Sequence, residues 1–396
     1  MNGLLSDFQE RLATMVADSV TLIECESPSN DREALEGATE CLARLGERLL
    51  HTAPERVLSQ GRTHLRWSWP GDGPRALVLG HYDTVWPIGS IRSHPAGVES
   101  GRLRGPGSFD MKVGVVIALH AVASMHDRGG VTMLLTSDEE LGSPTSRDLI
   151  ESEAREATAV LVLEGAAPGG ALKLARAGYA SYEIDVEGRS AHAGLDPEKG
   201  TNAAVELAHQ ILRVVALGRP ELGTTVTPTL TAAGTSRNTV PAQGTVAVDV
   251  RARSVAELAR VDAAIRALAP LAGARLQIHR RSERPPMPRS SSSQLFDLAR
   301  AAASEIGLPE LVGVEVGGVS DGNLTAALGT PTLDGLGATG GGAHADDEHA
   351  VIAGIPGSTA LVRALLDATL AGGIVPPPID DGASSPNGTV LEGDRQ

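Results

Sequence analysis

Three short apolar runs in the first half of the chain each stop at a histidine or a carboxylate. Ala76–Leu79 passes through Gly80 to His81 and Asp83, V-T-M-L-L-T (131–136) runs into S-D-E-E, and A-V-L-V-L (159–163) ends at Glu164. Runs of this length read as buried strands. The helical segments between them imply a largely parallel sheet, so these ends share one edge. Open α/β sheets place ligands beyond that edge. One such ending is an ordinary strand exit carrying a satisfied histidine; three together point to a site.

Composition narrows what the site can serve. The 396 residues suffice for two domains or three, and with 2% aromatics the core has to be built mostly of Ala, Leu and Val. A net charge of −15 argues against nucleic acid or an anionic membrane surface as partner. Part of that excess suits carboxylates gathered around cations. No stretch approaches the roughly 20 apolar residues of a membrane span, and M-N-G-L-L-S-D-F-Q-E lacks a signal-peptide pattern. A cytoplasmic enzyme is the expectation. Cys25 and Cys41 form no C-x-x-C pair, which excludes a cysteine zinc site and reads as two buried free thiols.

The spacing predicts helices over 6–24 and 31–50, capped by Ser6 and Asp31 and separated by Pro28. Strands are expected at 64–69 and 75–80, then a long Pro/Gly-rich loop to Asp110 at the edge of a buried helix over 111–126. From 178 to 281 the order becomes β-α-β-β-α-β, the ferredoxin-like arrangement. The expected division is therefore 1–176 and 286–372 as two parts of an α/β catalytic domain with a mixed, largely parallel sheet. Residues 177–285 form a separate domain inserted into the first, and 373–396 (P-P-P-I-D-D-G-A-S-S among them) a tail without structure.

The collected candidates are His81, Asp83, Asp110, Glu139, Glu140, Glu164 and His344. Nitrogen and carboxylate donors without thiolates suit Zn²⁺, with Mn²⁺ and Co²⁺ as alternatives. Five ligands with one bridging carboxylate are enough for two metals about 3.5–4 Å apart. Adjacent Glu139 and Glu140 make sense if one binds metal and the other, a general base, faces the water.

The motifs G-H-Y-D-T-V (80–85), G-P-G-S-F-D-M-K (105–112), S-D-E-E-L-G (137–142), V-L-E-G (162–165), G-R-S-A-H-A-G (188–194) and G-G-A-H-A-D-D-E (341–348) resemble the dinuclear zinc exopeptidases and amidohydrolases. That family includes glutamate carboxypeptidase, aminoacylase and acetylornithine deacetylase. The resemblance implies Asp110 bridging two zinc ions, with His81 and Glu164 on one and Glu140 and His344 on the other. It implies Glu139 as base, Asp83 as the orienter of His81, and a cis peptide at Asp110–Met111. Pro106 and Val113 depart from the family's usual motif at loop or packing positions. The inserted segment resembles the family's lid, through which two subunits pair. Its His192 would reach the partner's site to stabilise the oxyanion. Asn238 matches a residue of the same pocket, and Arg284 falls where one branch has an arginine for the substrate's free carboxylate, beside the plain reading of a solvated arginine. His349 is set aside in favour of His344 on the family's spacing. Asp346, Asp347 and Glu348 otherwise read as a solvated acidic face.

Two rivals have definite signatures. G-V-S-D-G (318–322) satisfies G-x-S-x-G between a strand and a helix, so Ser320 with Asp334 and His344 or His349 could form a serine hydrolase triad. That reading leaves Asp110, Glu139, Glu140 and Glu164 unexplained. A non-catalytic binding protein on the same fold requires a missing ligand or base, and none is missing. The expectation is a homodimeric metallohydrolase that cleaves an amide bond beside a free carboxylate. Its substrate would be a small N-acyl amino acid or short peptide, with C-terminal glutamate favoured.

Overall fold

The strand Ala76–His81 is buried at every residue because it lies inside a sheet covered on both faces. The computed structural model describes residues 3–271 and 273–374. Its main sheet has six strands in the order 55–59, 62–68, 131–136, 76–81, 159–162 and 332–333. The last four are parallel, and the hairpin 55–68 joins antiparallel at one edge. The register sets His81 beside Thr136 and Leu79 beside Val162, so all three strands stop at one level.

Alternation along each strand sends side chains to opposite faces. Ala76, Val78, Met133 and Leu135 join a large core with the helices Leu12–Glu24, Arg32–Leu50, Val113–Ala123 and Ile355–Leu370. Leu77, Leu79, Leu134 and Val160 pack on the other side against the helix Arg147–Glu156 and Leu324. The Val113–Ala123 helix is apolar on every side but for His120, and it is buried from Val113 to Val122. A Cβ at Gly114 would lie 2.2 Å from the Leu163 carbonyl oxygen. Glycine there lets the helix begin against the strand end that carries Glu164.

Residues 178–284 build a second sheet in the order 225–233, 243–252, 178–187 and 275–284, all antiparallel. The helices Ala203–Val215 and Val255–Arg266 cover one face and share its core of Val246, Val248, Val250, Ile184 and Tyr182. This is the β-α-β-β-α-β order expected from sequence.

Several local expectations are corrected. Asp31 caps its helix by accepting from Glu33 and Ala34 N–H, but Ser6 lies inside the helix Leu4–Glu10 and donates back to the Gly3 carbonyl. Cys25 and Cys41, expected as free thiols, are paired as a disulfide. The turn at 27–31 folds two helices together and brings their Cα atoms to 6.8 Å. The long loop after His81 holds the short strands Gly97–Glu99 and Arg102–Arg104. These form a small sheet with 349–351 and 340–341, tying that loop to the one bearing His344. The expected tail lies outside the described residues except for 373 and 374, and Ile374 is buried. Among the described residues no helix is long and apolar enough to cross a membrane.

Candidate metal centre

The parallel strand ends deliver their polar residues to one place. His81 Nε2 lies 3.2 Å from Asp110 Oδ1 and 3.6 Å from Glu164 Oε1. His344 Nε2 lies 3.4 Å from Asp110 Oδ2 and 3.2 Å from Glu140 Oε2. Two triads result, His81–Asp110–Glu164 and Asp110–Glu140–His344, each with ligand atoms within 4.8 Å of one another and with Asp110 common to both. They open into a cleft of about 440 Å³ that Glu139 also lines.

The donor set fits metal ions on the chain's own chemistry. His81 Nε2, Asp110 Oδ1 and Glu140 Oε1 are buried and have no hydrogen-bond partner, a costly arrangement unless a cation pairs them. The charges agree. Burial opposes a proton on His81, yet Asp110, Asp83 and Glu164 hold its pKa well above the usual value. Asp110 and Glu140 push His344 up to about 10. Burial raises Asp110, and His344 and His81 more than offset it, so its carboxyl sits well below the ordinary range. The cluster draws positive charge, which a metal supplies without a proton. His344 adopts φ 64°, a left-handed conformation uncommon for a non-glycine residue and concentrated at functional sites.

Supporting contacts differ in part from expectation. His81 Nδ1 meets the main-chain carbonyl of Asp83 at 3.0 Å, while the Asp83 carboxylate stands at 3.5 Å. That carbonyl fixes the ring so that Nε2 faces the cluster. The Asp83 carboxylate is engaged elsewhere, accepting from Ser29 Oγ (2.7 Å) and from the N–H groups of Glu139 and Glu140. It thereby braces one strand end against the next. Asp138 accepts from Thr145 and Ser146 and closes the loop that presents both glutamates. The Asp110–Met111 peptide is cis, as the resemblance implied.

Glu348, read from sequence as solvated, is buried and accepts from Trp86 Nε1 and from the N–H groups of Gly107, Phe109 and Asp110. Four donors converge on one carboxylate and hold the turn that carries Asp110. Nothing in a D-D-E run signals this, because the burial is created by the fold. His349 instead turns its Nδ1 to the Asp347 carbonyl and joins neither triad.

Arg284 is 2% exposed, and its guanidinium contacts Asp321 (3.1 Å), Ser143 (2.6 Å) and Glu139 (3.4 Å). Burial pushes the Glu139 carboxyl up, and the Arg284 charge works against it. His192 and Asn238 do not line the cleft of their own chain. Their backbones pair with each other's neighbours in exposed loops of the inserted segment. Ser320 is fully buried; its Oγ donates to Asp334 at 2.6 Å and accepts from Gly322 N–H. Asp334 is itself gripped bidentately by the buried Arg176. No histidine approaches Ser320 among the described residues, so G-V-S-D-G is a structural loop here and not a nucleophile elbow.

A family model for the peptidase family M20/M25/M40 matches residues 77–368. The chain belongs to that family. It is 33% identical over 300 residues to carboxypeptidase G2 of Pseudomonas sp. (strain RS-16), covering 72% of this chain and 71% of the relative. It is 28% identical to succinyl-diaminopimelate desuccinylase of Rhodospirillum centenum, covering 89% and 96%. Among solved structures, the M20 metallo-carboxypeptidase Sso-CP2 of Sulfolobus solfataricus superposes with a TM-score of 0.72 at 18% identity over 91% of this chain and 99% of that one, a likeness of fold. This M20 chain is a metal-dependent hydrolase of amide or peptide bonds.

Proposed function

We propose that the enzyme cleaves an amide bond next to a free carboxylate, in a small N-acyl amino acid or short peptide. Two Zn²⁺ ions would be held by His81, Asp110, Glu140, Glu164 and His344. The observation that carries this reading is one carboxylate, Asp110, shared by two triads, with a further carboxylate, Glu139, in the same cleft and outside both. Mn²⁺ or Co²⁺ would suit the same donors.

When bound, the ions would activate a water and polarise the scissile carbonyl. Glu139 takes the proton from the attacking water on its carboxylate and passes it to the departing nitrogen. Asp83 keeps the Glu139–Glu140 turn in register with the strand end bearing His81. The names of two relatives, a carboxypeptidase and a desuccinylase, favour a substrate with a free carboxylate, and C-terminal glutamate is the first residue to try. A panel of N-acyl amino acids and dipeptides, each also as its C-terminal amide, tests this with Zn²⁺, Mn²⁺ and Co²⁺. Hydrolysis of at least one free acid, faster than that of its amide, is expected. No turnover across the panel by metal-loaded protein would count against it.

The same reading makes the inserted segment, roughly 177–285, a lid that pairs two copies. The strand Thr225–Ala233 is a sheet edge with Leu230 exposed, and Val205, Leu212 and Val215 lie exposed on the helix Ala203–Val215. Edges and apolar faces of this kind invite pairing. His192 of a second copy then donates to the developing oxyanion, with Asn238 beside it. Mixing His192→Ala with Glu139→Gln subunits puts one intact site in each heterodimer. Random exchange should restore about a quarter of wild-type activity in a two-fold dimer. Inactive heterodimers, verified as mixed, would count against His192 acting across the subunits. We assign the enzyme to the cytoplasm; the Cys25–Cys41 pair stands against that, and recovery from an extracytoplasmic fraction would overturn it.

A further inference from the structure

His64 takes no part in either triad, yet it is fully buried beside the loop that presents both glutamates. The ladder between the strands 62–68 and 131–136 ends where Leu65 meets Leu135. Past that pair the chain turns toward Glu139, and side chains of the neighbouring strand hold it. His64 Nδ1 lies 3.3 Å from Ser137 N and 3.4 Å from Ser137 Oγ. Arg62 Nη1 donates to the Ser137 carbonyl at 3.1 Å, and its Nη2 to the Ser29 carbonyl at 2.7 Å. Both polar main-chain groups of Ser137, two residues before Glu139, are therefore held from one strand.

The donors fix which nitrogen carries the proton. A main-chain N–H can only donate, so Nδ1 faces Ser137 as an acceptor and the hydrogen belongs on Nε2. Nε2 is 3.1 Å from Thr145 Oγ1, which gives its own hydrogen to Asp138 Oδ2 at 2.7 Å. Thr145 N and Ser146 Oγ complete the grip on Asp138, each at 2.6 Å. One neutral imidazole thus touches both arms of the loop 137–146. A second proton, on Nδ1, would leave the Ser137 N–H without an acceptor in a buried site. The charges around the ring are Asp138 and Asp83, just past two strand ends, and Arg62 on its own strand. Arg66 is next along the same face and is already paired with Glu153 of the helix Arg147–Glu156. Burial outweighs the two carboxylates and holds the His64 pKa below the ordinary histidine value, which keeps the ring neutral.

We infer that His64, as the neutral Nε2–H tautomer, is a positioning residue that sets the Glu139–Glu140 turn through Ser137 on one side and Thr145 with Asp138 on the other. This rests on the reading of Glu139 as the base and Glu140 as a metal ligand.

The test uses the full-length, metal-loaded enzyme and a substrate identified in the panel. His64→Leu should lower kcat roughly 10–100-fold, the cost of slightly misplacing a reacting group, with KM near wild type. It should also release metal at a lower chelator concentration, because Glu140 leaves the same turn. His64→Asn sets an oxygen where Nδ1 accepts and should recover most of kcat. His64→Gln can reach Thr145 but offers Ser137 no acceptor, and should stay close to His64→Leu. A histidine that merely fills space would give the reverse order, since glutamine is nearer to it in size. Imidazole ¹⁵N spectra give a reading on the unaltered enzyme, with the His64 signals identified by their loss in any one of these variants. They should show the Nε2–H tautomer at neutral pH and a titration midpoint below that of a free histidine. A cationic or Nδ1–H ring at neutral pH would overturn the assignment. So would unchanged kcat and metal retention in His64→Leu, or His64→Gln outperforming His64→Asn. Wild-type turnover in Glu139→Gln would sink the base reading, and this assignment with it.

Discussion

Glu139→Gln is expected to lower kcat by roughly 10²–10⁴-fold, the usual contribution of a general base, while metal content and KM stay near wild type. Position separates it from its neighbour. Glu140 belongs to a triad, 3.2 Å from His344 Nε2, whereas Glu139 belongs to neither and its closest polar side-chain partner is Arg284 at 3.4 Å. Both backbone N–H groups are held by Asp83, so the two side chains leave one turn in different directions with fixed origins. Glutamine preserves the volume and can still accept from Arg284, but it cannot take up a proton. The matching change at the neighbour, Glu140→Gln, should first weaken metal retention. Steady-state kinetics alongside metal analysis separates the two outcomes. A Glu139→Gln enzyme with wild-type turnover removes that residue from the chemistry.

Much of this arrangement could be read from the amino acids, for a physical reason. Parallel strands that end in polar residues have only one edge to end on, so the convergence of His81, Glu140 and Glu164 follows from pattern alone once the strands are recognised. The β-α-β-β-α-β insertion was legible because its strands are long and alternate cleanly, as in Tyr179, Ser181 and Glu183 against Ala180, Tyr182 and Ile184. Contacts made by the fold itself were not legible. Glu348 looks like its solvated neighbours until the turn at 105–110 closes over it. Arg284 and Asp321 are 37 residues apart and meet only when the second sheet docks. The strands Gly97–Glu99 and Arg102–Arg104 are too short to carry a period. The cysteines lie in no motif, and only the helical hairpin brings them together. G-V-S-D-G misled in the opposite direction. Its strand and helix context was as a nucleophile elbow requires, but Arg176 and Asp334 bury the serine.

Metal removal is the second large effect and the most direct test of the central claim, two metal ions held around Asp110. Asp110 is offered to both triads, and with no cation three buried polar atoms of the cluster lack partners. Stripping the ions should therefore abolish turnover and leave this centre without its compensating charge. The measurement is metal content and activity on one preparation, before chelation, after exhaustive chelation, and after return of Zn²⁺. The expected result is about two ions per chain, loss of activity on chelation, and recovery as the second equivalent is restored. Full activity in metal-free protein, with Ser320 labelled by a fluorophosphonate, would contradict it.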